Sequence, residues 1–393
     1  AYGSIVAGGA HACVLHYRDN AGPIPRMNLS IKLSSLTAHF DPLDVPGTIS
    51  RVADRLRPIL NEALQQGAFV HFDMEQHASK DLIVAIFKQL GGEEEFRVGP
   101  DMGIAIQAYL RDTPNDLGNL LEWAKAHHRP VTVRLVKGAY WDYETIHARQ
   151  MDWPVPVWNQ KPESDRQYED LAEFLIANRA WLRPAFGSHN ARSLARVLAL
   201  SELAELPPEV VEFQSLYGMG EPVQRALCSL GRRVRVYAPY GDLLPGMAYL
   251  VRRLLENTAN DSFLRQSLAE HRDKAWLLAD PREKIVMKQE PPVQGTSANQ
   301  GGEPPSLKAT ALTDFTRAEA RSSFGQALNS VRARLGIKLP AFIAGAQRFT
   351  DLALESRNPS KRRCVVRCAC AMLWLHAANK PKASAKPSRS RLM

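Results

Sequence analysis

A chain of 393 residues exceeds one ordinary domain, but a single α/β barrel with appended segments would account for it. Hydrophobic residues make up 45%, enough for a large core, while no apolar run reaches the about 18 residues a membrane-spanning helix needs. The formal charge of +9 would suggest nucleic acid if it were spread over the body. It is not: positions 361–393 hold nine Lys or Arg and no acid, which leaves 41 basic (50 less those nine) against 41 acidic side chains elsewhere.

In chain order, nothing in Ala1–Met27 reads as a strong strand. "AYGSIVAGGAHACVLHY" resembles the tail of a helix, without the order of a signal peptide, so the chain is expected to start inside a barrel. Seven short segments then read as strands: Asn28–Ser34, Ala68–Glu75, Ile104–Leu110, Pro130–Gly138, Pro184–Asn190, Val210–Gly218 and Arg233–Gly241. Amphipathic patterns such as "TISRVADRLRPILNEALQQG" separate them, and Gly67 and Gly91 read as helix C-caps. This alternation implies a parallel sheet with right-handed crossovers, and seven units imply a (βα)8 barrel over 28–280 lacking its first strand.

Positions 281–311, with "EPPVQGTSANQGGEPPS", read as a linker. Within 312–360, "TRAEARSSFGQALNSVRARLG" reads as a helix and "PAFIAG" as a short strand. The tail 361–393 is expected to be disordered and solvated, with nucleic acid or anionic lipid as the alternative partner. Cys13 and Cys228 are isolated, and the C-x3-C-x-C of Cys364, Cys368 and Cys370 does not match a zinc spacing. So few cysteines in the body suggest a reducing compartment, the cytoplasm.

Barrel ligands sit at the carboxyl ends of the strands. Those ends carry Lys32, then Asp73 and Glu75, Gln107, Arg134 and Lys137, the run Ser188, His189 and Asn190, then Glu212 and Gln214, and finally Tyr237 and Tyr240. Asp73 and Glu75, two apart, share a face. Seven strands ending this way suggest a site. Each residue also has a structural reading. Arg134 is either an ion-pair partner of Asp73 or Glu75 or a guanidinium fork for an electron-rich ligand, and Lys32 and Lys137 divide similarly. Tyr140 and Trp141 are packing residues or ring-stacking surfaces. His189 and Asn190 could simply cap the next helix. "AYLVRRLLEN" places Arg252 and Arg253 within reach of Glu256 on one helix. No G-x-G-x-x-G follows a strand, and no His, Cys and carboxylate set has metal spacing.

The segments "SIKLSSL", "QAYL", "VRLVKGAYWDYE", "SHN", "EFQSLYGMGEP", "VYAPYG" and "AYLVRRLLENTANDSF", in that order, resemble the proline dehydrogenase domain of the bifunctional proline utilisation A flavoproteins over roughly 28–278. The resemblance implies a distorted (βα)8 barrel that binds FAD and oxidises L-proline to 1-pyrroline-5-carboxylate. That is the first step of proline breakdown to glutamate, with electrons passed to a quinone met peripherally at the membrane surface. It implies that Arg134 lies near flavin N5 and that Gln107 bonds the ring. Lys137, Gly138, Tyr140, Trp141, Ser188, His189, Asn190, Gln214, Glu256 and Phe263 would also hold the cofactor. Lys32, Arg252 and Arg253 would bind the proline carboxylate, with Leu216, Tyr237 and Tyr249 walling its ring and Asp73 orienting Lys32 and its neighbours. Ser188 stands where threonine is usual and keeps the hydroxyl. The chemistry agrees: a ring accepting hydride gains negative charge that a fixed cation stabilises, and a small zwitterion is oriented by its carboxylate.

The sequence also departs from that family. Its N-terminal arm, first barrel strand and DNA-binding module are not seen here. Positions 312–360 resemble the start of the aldehyde dehydrogenase half, without the NAD-binding fold or catalytic cysteine, so the second activity is expected to be absent. The tail resembles neither half, as in a truncated or frame-shifted product. Two other readings are a Schiff-base lyase or aldolase using Lys32 or Lys137, and an inert fragment whose incomplete barrel exposes strand edges.

Overall fold

The computed structural model describes residues 3–7, 27–240, 247, 251, 274–287, 312–349, 353–359 and 361–370. The chain divides into two compact units, 1–316 and 317–393.

The first unit is built on an eight-stranded closed barrel. Its strands are β1 (Gly3–Ala7), β2 (Asn28–Ile31), β3 (Phe69–Phe72), β4 (Met102–Gln107), β5 (Val131–Val136), β6 (Leu182–Gly187), β7 (Glu212–Leu216) and β8 (Arg233–Tyr240). All seven expected strands form, and β2 to β8 pair in parallel in sequence order. The expectation of a missing stave is corrected. Strand β1 fills the gap and pairs antiparallel with both β2 and β8, with Val6 opposite Tyr237 and Asn28. "GSIVA" is short and glycine-flanked, and its direction breaks the βα alternation, so periodicity alone does not flag it. Closure also removes the open edges that the inert-fragment reading requires.

The helices are α1 (Val45–Gln65), α2 (His77–Gly92), α3 (Thr113–Ala126), α4 (Trp141–Gln150), α5 (Lys161–Ala177), α6 (Ala191–Leu203) and α7 (Glu221–Ser229). Asp44 caps α1 by accepting from Gly47 N (3.1 Å). Val52, Leu56, Leu60 and Ala63 then recur on one buried face. Each fully buried leucine there contributes about 1.5–3 kcal/mol over an exposed one. Gly67 follows α1 at φ +62°, the left-handed position a C-cap glycine serves. Gly91 is different: it lies inside α2, where a Cβ would come within 2.8 Å of the Trp123 ring. It is a packing glycine, not a cap.

On β5 the residues alternate. Val131, Val133 and Leu135 are buried outward against the helices, while Thr132, Arg134 and Val136 take the other face. The apolar core therefore lies between sheet and helices, typified by Phe72 edge-on to Phe87 at 5.4 Å. The lumen is polar instead. Within it Glu212 accepts from Arg235 (2.7 and 2.9 Å) and Gln214 (2.7 Å) and pairs with Arg233 (2.9 Å). Pro281–Met287, inside the expected linker, is a helix that meets α5 through an Arg282–Asp170 ion pair. Among the described residues no helix is long and apolar enough to cross a membrane.

In the second unit the expected helix forms at Ala318–Ala333, and the expected strand forms as Ala341–Ile343, paired with Ala346–Arg348. The expectation of a wholly disordered tail is corrected. Lys361–Cys370 is a strand antiparallel to Ala353–Asn358 and parallel to Lys338–Leu339. Its "CVVRCAC" carries the β-branched residues that favour a strand, which a composition argument overlooks. Residues 371–393 lie outside the described residues.

Candidate active site

The small residues of β4 create the site. Ala105 of β4 stands opposite Arg134 and adds little bulk between β5 and β3, so Arg134 reaches Asp73 just beyond β3, while the space beside Gly103 is taken by the His71 and Phe69 rings. Arg134 also donates to Ser30 Oγ (3.2 Å), and its guanidinium lies 5.5 Å from the Tyr237 ring centre. Tyr237 donates its hydroxyl to the other Asp73 oxygen (3.2 Å). Both charged side chains are nearly buried, at 11% and 12% exposure, so the pair is shielded from water and salt. The ion-pair reading of Arg134 therefore holds with Asp73 rather than Glu75. It does not exclude ligand binding, because the pair sits at the strands' carboxyl ends.

Lys32 directly follows β2, and its Nζ donates to the Tyr140 hydroxyl (3.3 Å) and lies 6.0 Å from that ring's centre. Below the Arg134–Asp73 pair, His71 is buried, and among the described residues neither ring nitrogen has a hydrogen-bond partner. Burial, reinforced by Arg134 and Arg235, holds it well below the ordinary histidine range, so it is neutral.

Lys137 does not join Arg134. Three residues further on, past the strand end, it donates to Asp165 of α5 and to Ser193 Oγ of α6 (2.9 Å). Burial, opposed by Asp165, lowers Lys137 to about 8. Burial alone would raise Asp165, but Lys137 and Lys161 together hold it at about 2. With Lys32 bound to Tyr140 and Lys137 locked between Asp165 and Ser193, the structure does not favour a Schiff-base lysine.

Gly138 has φ +126°, and a Cβ there would lie 2.5 Å from the Tyr109 ring, so no other residue fits. Trp141 is 39% exposed at the start of α4, held by its Nε1 donating to Trp158 O (2.7 Å). Gln107 is buried; its Nε2 donates to Glu75 O (3.1 Å), while its Oε1 has no partner among the described residues. Asn190 does cap α6, accepting from Ser193 N (3.3 Å), and Ser188 Oγ accepts from Asn190 N (3.1 Å). His189 Nε2 accepts from Leu216 N (3.3 Å), which joins the ends of β6 and β7. Gln214 belongs to the Glu212 network. Tyr249, Arg252, Arg253, Glu256 and Phe263 lie outside the described residues.

Sequence reasoning missed Ser30, His71, Asp165 and Arg235. Ser30 was within reach, because it lies two residues before Lys32 on the same strand face. Asp165 gives no such signal, as it enters from a helix 28 residues beyond Lys137.

The closed α/β barrel gathers a shielded Arg–Asp–Tyr cluster and a lysine at the carboxyl ends of its strands, the end where barrel ligands sit. The proline dehydrogenase family model matches residues 6–266, and the chain belongs to that family. It is 34% identical over 261 residues to the bifunctional protein PutA of Escherichia coli, covering 64% of this chain and 20% of that protein. It is 28% identical over 240 residues to proline dehydrogenase 1 of Bacillus subtilis, covering 61% of this chain and 69% of that protein. A crystal structure of proline utilization A from Bdellovibrio bacteriovorus, inactivated by N-propargylglycine, superposes with a TM-score of 0.77 at 40% identity. That match covers 86% of this chain and 35% of that one. The chain thus spans about a fifth to a third of the length of the PutA proteins it matches.

Proposed function

We propose that this chain oxidises L-proline to 1-pyrroline-5-carboxylate, with FAD as its cofactor and a quinone as the final electron acceptor, met peripherally at the inner membrane face. The observation that carries this reading is the Arg134–Asp73–Tyr237 cluster beside Lys32 at the barrel mouth.

The residues present fit a flavin. Gln107 Oε1 is buried without a partner among the described residues and suits an N–H donor such as the flavin's polar ring edge. Gly138 lets the backbone turn against the Tyr109 ring, and Tyr140 and Trp141 offer rings just past the end of β5. Gln107, Arg134, Lys137, Gly138, Tyr140, Trp141, Ser188, His189, Asn190 and Gln214 would hold FAD, joined by Glu256 and Phe263. When bound, FAD supplies the acceptor for the hydride that leaves the proline ring carbon next to nitrogen.

The chain's own residues do the rest. Lys32, Arg252 and Arg253 bind the substrate carboxylate, and Leu216, Tyr237 and Tyr249 enclose the apolar ring. Arg134 presents fixed positive charge where negative charge develops, and Asp73 keeps that cation aimed. The test is product trapping: flavin-replete protein, proline and a soluble redox dye, with an aromatic amino-aldehyde that colours on reaction with cyclic imines. A proline-dependent adduct is expected, and its absence would refute the activity.

A further inference from the structure

Two carboxylates leave β3 on the same face, and only one of them touches the Arg134 cluster. Asp73 takes Arg134 and Tyr237. Glu75, equally buried, turns to the segment after β2: it accepts from Ser34 N (3.0 Å) and from Ser34 Oγ. Ser34 belongs to a short 3-10 turn, Leu33–Leu36, whose preceding residue is Lys32. The same turn grips the Lys32 carbonyl, which accepts from Ser35 N (3.2 Å) and Ser35 Oγ (2.6 Å). From the other side, Gln107 Nε2 fixes the Glu75 carbonyl (3.1 Å). Hydrogen bonds and the backbone of the turn therefore link β4, through Glu75 and Ser34, to the adjacent Ser35 and the Lys32 carbonyl it holds.

We infer that Glu75 is a positioning residue that sets the direction in which Lys32 presents its ammonium to the substrate carboxylate. A lysine has four rotatable side-chain bonds, so its charge is aimed only if its backbone is held and its tip has a contact. Tyr140 supplies the contact at the tip. Glu75 supplies the anchor, and a carboxylate suits it because two donors on one residue, an N–H and an O–H, converge on its two oxygens. The paired carboxylates thus divide the work: Asp73 aims Arg134, and Glu75 aims Lys32. The inference rests on the proline reading above.

The experiment is a double-mutant cycle on the flavin-loaded full chain, with wild-type proline turnover measured first. Glu75→Ala is expected to raise KM for proline roughly tenfold, as for losing hydrogen bonds to a charged group, with a smaller change in kcat. In a Lys32→Met background the same substitution should change KM by less than about twofold, because the two residues act as one unit. Glu75→Gln, which can accept from Ser34 N and donate to Ser34 Oγ, should restore most of the affinity. Ser34→Ala should shift KM in the same direction and carries the comparison if Glu75→Ala does not fold. Equal KM effects with and without Lys32 would make Glu75 merely structural and overturn the inference, as would an unchanged KM. Absence of turnover in the wild type would instead bring down the proline reading and the inference together.

Discussion

Arg134 and Asp73 meet across an intervening strand. Arg134 lies on β5 and Asp73 just beyond β3, the two strands that flank β4, where Ala105 stands opposite Arg134. The pair is shielded, so its field is poorly screened and its geometry is fixed by Ser30 on one side and Tyr237 on the other. Arg134→Met should slow proline-dependent flavin reduction by about a hundredfold or more, the usual scale for removing one preorganised electrostatic group. Rapid-mixing absorbance at the flavin band measures this, and an unchanged rate would remove Arg134 from the reaction.

Tyr237→Phe removes one hydrogen bond and leaves the ring beneath Arg134. The expected stability loss is about 1 kcal/mol, visible in denaturant unfolding. The effect on reduction should be much smaller than that of Arg134→Met, because Asp73 keeps its guanidinium partner. An equal loss of rate would assign the hydroxyl a direct part in the chemistry.

The cluster is legible in the sequence because polar residues at strand ends are rare enough to stand out, and Lys32, Asp73, Arg134 and Tyr237 all announce themselves that way. Position along the strand does the sorting. Arg134, within β5, points into the lumen, whereas Lys137, just past its end, turns towards α5 and α6. That turn is not legible, because Asp165 is set by helix packing rather than by any local pattern. Strand β1 is hard to read because five residues make too short a period, and Lys361–Cys370 because its charge points to disorder and hides the signal of its two valines. Gly91 looks like a cap in sequence and proves to be the floor under Trp123.

Two glycines separate backbone strain from crowding. Gly67 has φ +62° with open space around it, so Gly67→Ala should cost only the left-handed conformation, about 1–2 kcal/mol. Gly138 has φ +126° and the Tyr109 ring in the way, so Gly138→Ala should cost roughly 3 kcal/mol or more and reduce bound flavin. Thermal unfolding and flavin content of the two variants make the comparison. Equal costs would show that Tyr109 does not confine this turn.

Asp165 gives a pH signature. Its folded value of about 2 lies below its unfolded 3.8, so between those values only the unfolded chain binds the proton. Its contribution, about 2 kcal/mol, is therefore fully present above pH 3.8 and lost as pH falls through 2. Asp165→Asn should be less stable than wild type near neutrality, with the gap closing as the solution is acidified across that window. A gap that stays constant across it would mean that Lys137 and Lys161 do not hold Asp165 charged.

In the proposed reaction, this barrel mouth passes a hydride from proline to a bound flavin. Anaerobic mixing of the FAD-loaded chain with L-proline tests it most directly, followed as loss of the flavin's visible absorbance. The account predicts bleaching that saturates with proline, does not occur with a ring-opened amino acid, and is slowed in Arg134→Met. A chain that binds FAD stoichiometrically yet stays oxidised at saturating proline would contradict it.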